Sequence, residues 1–254
     1  MSTYLEGALI ITGAIALAIG GLVLARRHLS YDALQSHHDV AAAIYTIAGT
    51  IYAVLLAFAV IIVWQAFTDT QSTVAQEANA VSDLERMSRG FPTVIQRDLH
   101  EATLTYAHIV VVKEWPLMAH GQSSPQANAA LIDLWHTYTD MQELNQSSAL
   151  YSESLTQLNE ITNDRRLRLL DSQNRIPILM WGMLIAGGVI MVVFTYLFAV
   201  KTFWHHAAMV VMLSGIIAFA LFLIFVLNGP FAGDVKVQPT PFIATIQNME
   251  HVDQ

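Results

Sequence analysis

The stretch Val40–Phe67, VAAAIYTIAGTIYAVLLAFAVIIVWQAF, decides the fold. It contains no Asp, Glu, Lys or Arg. A membrane-crossing helix needs about 20 apolar residues at about 1.5 Å each, and this run exceeds that length. In hydrocarbon every backbone N–H and C=O must be satisfied inside the segment, so the run is helical. The helix also outlasts its apolar part. No Gly or Pro occurs between Thr50 and the stop signal Arg89-Gly90-Phe91-Pro92. Beyond Phe67, the positions Val74, Ala78, Ala80, Val81 and Leu84 keep helical spacing. The second span therefore runs on into water as one rod about 75 Å long.

Working outward, three more uncharged runs have spanning length: Gly7–Ala25, Ile176–Val200 and Ala207–Phe231. The first is not a cleaved leader by its charge pattern. Glu6 precedes it and Arg26-Arg27 follow it, the reverse of a signal peptide. Composition agrees with a chain that meets lipid. Of 254 residues, 54% are hydrophobic and only 13% charged, against roughly a quarter charged in soluble domains. The fold class is all-α, with four transmembrane helices and a helical extramembrane insert between the second and third. By sequence the chain divides into spans one and two (1–67), the insert (68–175), spans three and four (176–231) and a C-terminal tail (232–254).

Within the insert, a helix is predicted over Thr93–Lys113, ending before Trp115-Pro116. Ser124-Pro125 begins another, with Ser as N-cap and Pro at the first helical position. A last helix runs from about Ser148 through Leu150, Leu155, Leu158, Ile161 and Leu169 to Arg175-Ile176-Pro177. Glu114-Trp115-Pro116 fits an interfacial tryptophan beside a helix-ending proline. If the rod and the last helix run antiparallel, Asp69 faces Arg175, and Glu77 meets Arg165, Arg166 and Arg168. That set is either an ion- or lipid-binding cluster at the membrane mouth or a row of exposed salt bridges, each of little energetic value.

Several function classes are excluded or left without residues. A net charge of −8 argues against nucleic acid as a partner. There is no cysteine, so disulfides and thiolate chemistry are absent. No phosphate-cradling loop, zinc-helix motif or serine elbow occurs, so no enzyme, cofactor or metal site is expected. His37-His38 and His205-His206 sit in the two short loops, where polar residues at helix ends explain them. The spans hold no acidic or basic group of the kind that marks proton-coupled transport. A channel remains open to them, because an apolar constriction can gate. On the second span Tyr45, Gly49 and Tyr52 share one face, while Ile51, Leu55, Phe58 and Ile62 lie on the apolar remainder. One face packs, and another can line a symmetric axis.

The segments His38-Asp39-Val40-Ala41, Gly49 to Phe58 and Val63-Trp64, with Glu114-Trp115-Pro116-Leu117-Met118, Arg165 to Leu169, Pro177 with Trp181, and Pro230-Phe231, resemble the bacterial bestrophin-like domain family. The resemblance covers nearly the whole chain. It implies a multi-span protein of the bacterial inner membrane. By likeness to bestrophins, it also implies a homo-oligomeric channel with an apolar neck on the second span, for which Ile51, Leu55, Phe58 and Ile62 are the candidates. The partners are then the lipid bilayer, other copies of the chain and permeant ions. Ion sign is drawn two ways. The insert carries fourteen carboxylates against eight basic groups, which favours cations, whereas bestrophins conduct anions. Orientation is drawn two ways as well. Arg26, Arg27 and Lys201 in the short loops put the insert outside the cytoplasm, the orientation adopted from the sequence, against Arg165, Arg166, Arg168 and Arg175 at the entry to the third span and against the cytoplasmic insert of bestrophins. The rival reading is a non-conducting scaffold or sensor whose insert binds a partner.

Overall fold

A computed structural model describes residues 3–28, 35, 38–140 and 149–252. His37 and the start of a helix at Ser148 lie outside the described residues. The described residues are mostly helical, with no strand among them. Four helices are long and apolar enough to cross a membrane: α1 (Thr3–His28), α2 (His38–Ser88), α7 (Ile178–Thr195) and α8 (Phe203–Leu227). Between α2 and α7 come α3 (Thr93–Ile109), a π-helical turn (Val110–Glu114), α4 (Trp115–Met118), α5 (Pro125–Thr139) and α6 (Ala149–Gln173). A final helix, α9 (Thr240–Val252), follows the last span. The predicted rod is one continuous helix of 51 residues. The chain divides into two compact units, residues 1–65 with 175–228 and residues 66–174 with 229–254.

The first unit holds α1, the apolar part of α2, α7 and α8. Small residues let these helices approach closely. A Cβ on Gly187 would lie 2.6 Å from the ring of Tyr52, and one on Gly188 2.9 Å from its hydroxyl. Ala18 and Leu22 of α1 pack against Tyr196, Ala207 and Val210. The Tyr196 hydroxyl donates to the Ala18 carbonyl at 2.7 Å. Asn228 closes the other end, its side-chain oxygen accepting from the Ile176 N–H at 2.7 Å. The third and fourth spans are shorter or shifted relative to the expected 176–200 and 207–231, because Pro177 starts α7 and the turn after Thr195 ends it.

The second unit is a helical domain around one apolar core. Val74, Val81 and Leu84 of α2 meet Leu99 and Tyr106 of α3, Leu134 of α5, and Leu158 and Ile161 of α6. Ser124 caps α5 as expected, accepting from the Ala127 N–H at 3.3 Å. Two features differ from the sequence reading. Residues 232–254 contain α9, and its Phe242, Ile246 and Met249 are buried in this same core. The expected single helix Thr93–Lys113 ends at Ile109 and widens into the π turn. Pro116 lacks an N–H and crowds the carbonyl four residues earlier, so regular α-helical bonding cannot pass it.

Candidate functional site

Two surfaces concentrate the sequence candidates. The first is α2 within the first unit. Tyr45 lies against the rings of Phe194 and Phe198, with centroids 5.6 and 5.3 Å away. Tyr52 is buried and donates its hydroxyl to the Leu184 carbonyl at 3.0 Å. Gly49 faces the methyl of Met191. These three share the face turned to α7. The apolar candidates stand on the uncovered side: Ile51 is 58% exposed, Leu55 45%, Phe58 59% and Ile62 48%.

The second is a buried ionic cluster in the second unit. The stripe of α6 that faces the core reads Leu158, Ile161, Arg165, Arg168 and Ser172, so helical spacing carries two guanidiniums inward. Arg168 is fully buried. Its Nε donates to Glu77 Oε2 at 2.5 Å and one terminal nitrogen to Glu77 Oε1 at 3.0 Å, a bidentate pair. That terminal nitrogen also reaches Glu114 Oε2 at 2.9 Å. Arg165 grips Glu114 with two bonds of 2.7 and 3.1 Å. The Tyr106 hydroxyl donates to Glu77 Oε1 at 2.6 Å, and the Ser124 N–H donates to Glu114 Oε1 at 3.1 Å. The Arg168 guanidinium also lies 5.6 Å from the Trp115 ring centroid and 5.8 Å from that of Phe242.

Two carboxylates and two guanidiniums balance, and each carboxylate oxygen holds at least one donor. Burial alone would raise the Glu114 pKa, but the Arg165 hydrogen bonds and the Arg168 and Arg165 charges hold it below the ordinary carboxylate value. Burial, reinforced by Glu77, pushes the Tyr106 hydroxyl well above the ordinary tyrosine range. Burial lowers the Arg168 pKa, but the Glu77 charge and hydrogen bonds, with Tyr106 and Glu114, together raise it above the ordinary value. The cluster is a closed set of bonds, with structural rather than catalytic chemistry. Among the described residues, no three His, Cys, Asp or Glu side chains are grouped to hold a metal.

The structure brings Glu77 together with Arg168 as the antiparallel pairing expects, but inside a core instead of as an exposed pair. Arg165 takes Glu114 as its partner. Asp69 and Arg166 are exposed in the second unit, and Arg175 is exposed in the first. Sequence reasoning left Glu114 out of the cluster. The signal available was a carboxylate directly before Trp-Pro, where a π turn can rotate it inward. Trp115 belongs to the apolar core of the second unit. It is buried among Phe231 and Phe242 and donates its indole N–H to the Val237 carbonyl at 3.3 Å.

Beside the cluster, Asp164 is raised from 3.8 to about 6 by burial and then by the charges of Glu77 and Glu160. Its folded pKa exceeds its unfolded one. Folding therefore takes up a proton between about pH 4 and 6, and the ionised group costs stability above that window. Asp164→Asn is expected to raise the melting temperature by a few degrees near about pH 8 and to leave it unchanged near about pH 4. Equal melting shifts at both pH values would refute this assignment.

Four spanning helices around a buried α2 face, with a helical domain held on a neutral ionic core, define a multi-pass helical membrane protein. A match to the Bestrophin-like domain covers residues 12–242, and the chain belongs to the Bestrophin-like family. The fold is shared with solved structures. A crystal structure of a single-residue variant of a bacterial bestrophin homolog from Klebsiella pneumoniae superposes with a TM-score of 0.69 at 15% identity, over 95% of this chain and 96% of that one. The structure of the Klebsiella pneumoniae homolog solved by Zn-SAD phasing gives 0.67 at 16%, over 95% and 96%. A variant described as a membrane protein gives 0.70 at 14%, over 93% and 94%. No curated protein matches the sequence.

Proposed function

We propose that this chain forms a homo-oligomeric ion channel of the bacterial inner membrane, with α2 around the axis and the helical insert as an extramembrane vestibule. One observation carries the reading. α2 has one face engaged by α7 and another, Ile51, Leu55, Phe58 and Ile62, left exposed and uncharged. These positions repeat at intervals of four and three residues, so copies arranged around an axis would meet as stacked apolar rings. Tyr45, Gly49 and Tyr52 then set the angle of α2 against its own subunit. The acidic surplus of the insert draws cations toward the mouth.

The insert is placed in the cytoplasm under this reading. Within about fifteen residues of the spans, the insert side carries Arg165, Arg166, Arg168, Arg175 and Lys236, against Arg26, Arg27 and Lys201 on the other side. Counting Lys236 and the arginines before α7 reverses the orientation suggested by the short loops alone. It also agrees with the bestrophin arrangement. Because the chain lacks cysteine, a single cysteine at exposed Gln126 can be labelled cleanly. It should react with an impermeant maleimide only after the cells are opened.

The test of function is planar-bilayer recording of the purified chain. Discrete currents are expected, and Phe58→Ala should raise them several-fold by widening an apolar constriction. A stable oligomer that passes no ions would discard the channel in favour of a scaffold whose insert binds a partner.

A further inference from the structure

Tyr52 joins α2 to α7 by a polar bond set in an apolar bed. Its ring is buried and packs with Met191 of α7 and Ile217 of α8, with Leu56 and Leu213 against the same group. Gly187 and Gly188 leave the α7 backbone bare where the ring lies. A Cβ on Gly187 would stand 2.6 Å from ring carbon Cδ2, and one on Gly188 2.9 Å from the hydroxyl. The hydroxyl donates to the Leu184 carbonyl at 3.0 Å. Within α7 that carbonyl already serves the helix ladder, and the tyrosine takes its second lone pair. The buried hydroxyl of α8, Ser214, is spent on the Val211 carbonyl at 3.3 Å. A hydroxyl that leaves its acceptor in apolar surroundings loses a bond that no water replaces. The bond therefore selects one rotation and one spacing of α2 on α7, which apolar packing alone specifies less sharply.

That rotation matters for the uncovered face. Ile51 directly precedes Tyr52, and Leu55 follows three residues later. A turn of α2 about its own axis that moves the Tyr52 ring swings both apolar side chains by the same angle.

We propose that Tyr52 is the positioning residue of the neck: its hydroxyl pins α2 to α7 and so holds Ile51 and Leu55 toward the axis in the constricted arrangement. The proposal rests on the channel reading and assigns the control of that channel. An apolar constriction passes or excludes ions according to its width. A pin behind the wall governs how often the wall stands back, and the side chains of the wall govern how much passes when it does.

The test compares the unsubstituted chain with Tyr52→Phe, which keeps the ring and removes only the bond. In single-channel recording, the fraction of time open should rise several-fold with the unitary current unchanged. Phe58→Ala, a change in the wall, raises the unitary current instead. Gly187→Ala, which crowds the ring out of its seat, should raise the open fraction at least as much as Tyr52→Phe. A second readout needs no conduction. Because the chain lacks cysteine, spin labels on Ile47→Cys and Ile190→Cys, exposed positions of α2 and α7, report the spacing of the two helices in labelled chains diluted among unlabelled ones. The distance distribution should broaden in Tyr52→Phe. An unbroadened distribution overturns the pin, whether or not the chain conducts. An unchanged open fraction, or a changed unitary current, in Tyr52→Phe overturns the control of the neck. A broadened distribution in a chain that passes no current overturns the channel reading and that control together, and keeps only the bond as what positions α2.

Discussion

Arg168→Ala is expected to lower the unfolding free energy of the second unit by about 3–5 kcal/mol, the usual cost of removing one partner from a buried ion pair. The guanidinium is fully buried and bonds both Glu77 and Glu114. Without it, Glu77 keeps only the Tyr106 hydroxyl among the donors described here. A buried carboxylate with one neutral donor is poorly compensated. Denaturant unfolding of the full chain in detergent, followed by tryptophan fluorescence, measures the change. A loss under about 1 kcal/mol would mean that water replaces the guanidinium and that the core is wetter than described. The double variant Arg168→Met with Glu77→Gln should recover much of the loss, since it removes both charges and keeps an acceptor for Tyr106.

Trp115→Ala should cost about 3–5 kcal/mol as well, for a different reason. Removing a buried Trp leaves a cavity that neighbours only partly fill. Here the neighbours include Phe231, 5.5 Å away between centroids, and Phe242 at 6.2 Å. The indole also holds the Val237 carbonyl. The largest effect should therefore fall on residues 229–252, which meet the insert helices through this side chain. Limited proteolysis should cut the variant between Gly229 and Pro239 while the unsubstituted chain resists. Equal resistance would show that α9 is held by Ile246, Met249 and the Thr245–Ala78 bond without the tryptophan.

How far the sequence reached is clearest on α2. Its span, its continuation past Phe67 and its stop at Gly90 were all legible, because hydropathy, helical period and helix-breaking residues are local signals. The pairing of Glu77 with Arg168 was also legible, from equal distances along two antiparallel helices. Their burial was not anticipated. Glu77 lies in register with Val74, Val81 and Leu84, and Arg168 with Leu158 and Ile161, so the helical period did contain it. A charge on an apolar stripe is normally assigned to the surface, and only its partner's position reverses that. Glu114 was lost because a π turn shifts the phase of everything after it. α9 is hard to read from sequence because its apolar residues directly follow a span and are too few to mark a helix on their own. Which face of α2 packs was undecidable by spacing alone, since both faces are uncharged. Gly187-Gly188 on α7 decided it by admitting the Tyr52 ring.

The dependence of the second unit on residues 229–252 orders its birth on the ribosome. Trp115 emerges long before Phe242, with two apolar spans made in between. At roughly 5–20 residues per second the interval is on the order of ten seconds. For the later part of that time, once α6 has emerged, Arg168, Glu77 and the tryptophan share a cleft that lacks one wall. The nascent domain must persist as an unfinished shell while α7 and α8 are inserted, and it gains its native cooperativity only when the last helix arrives.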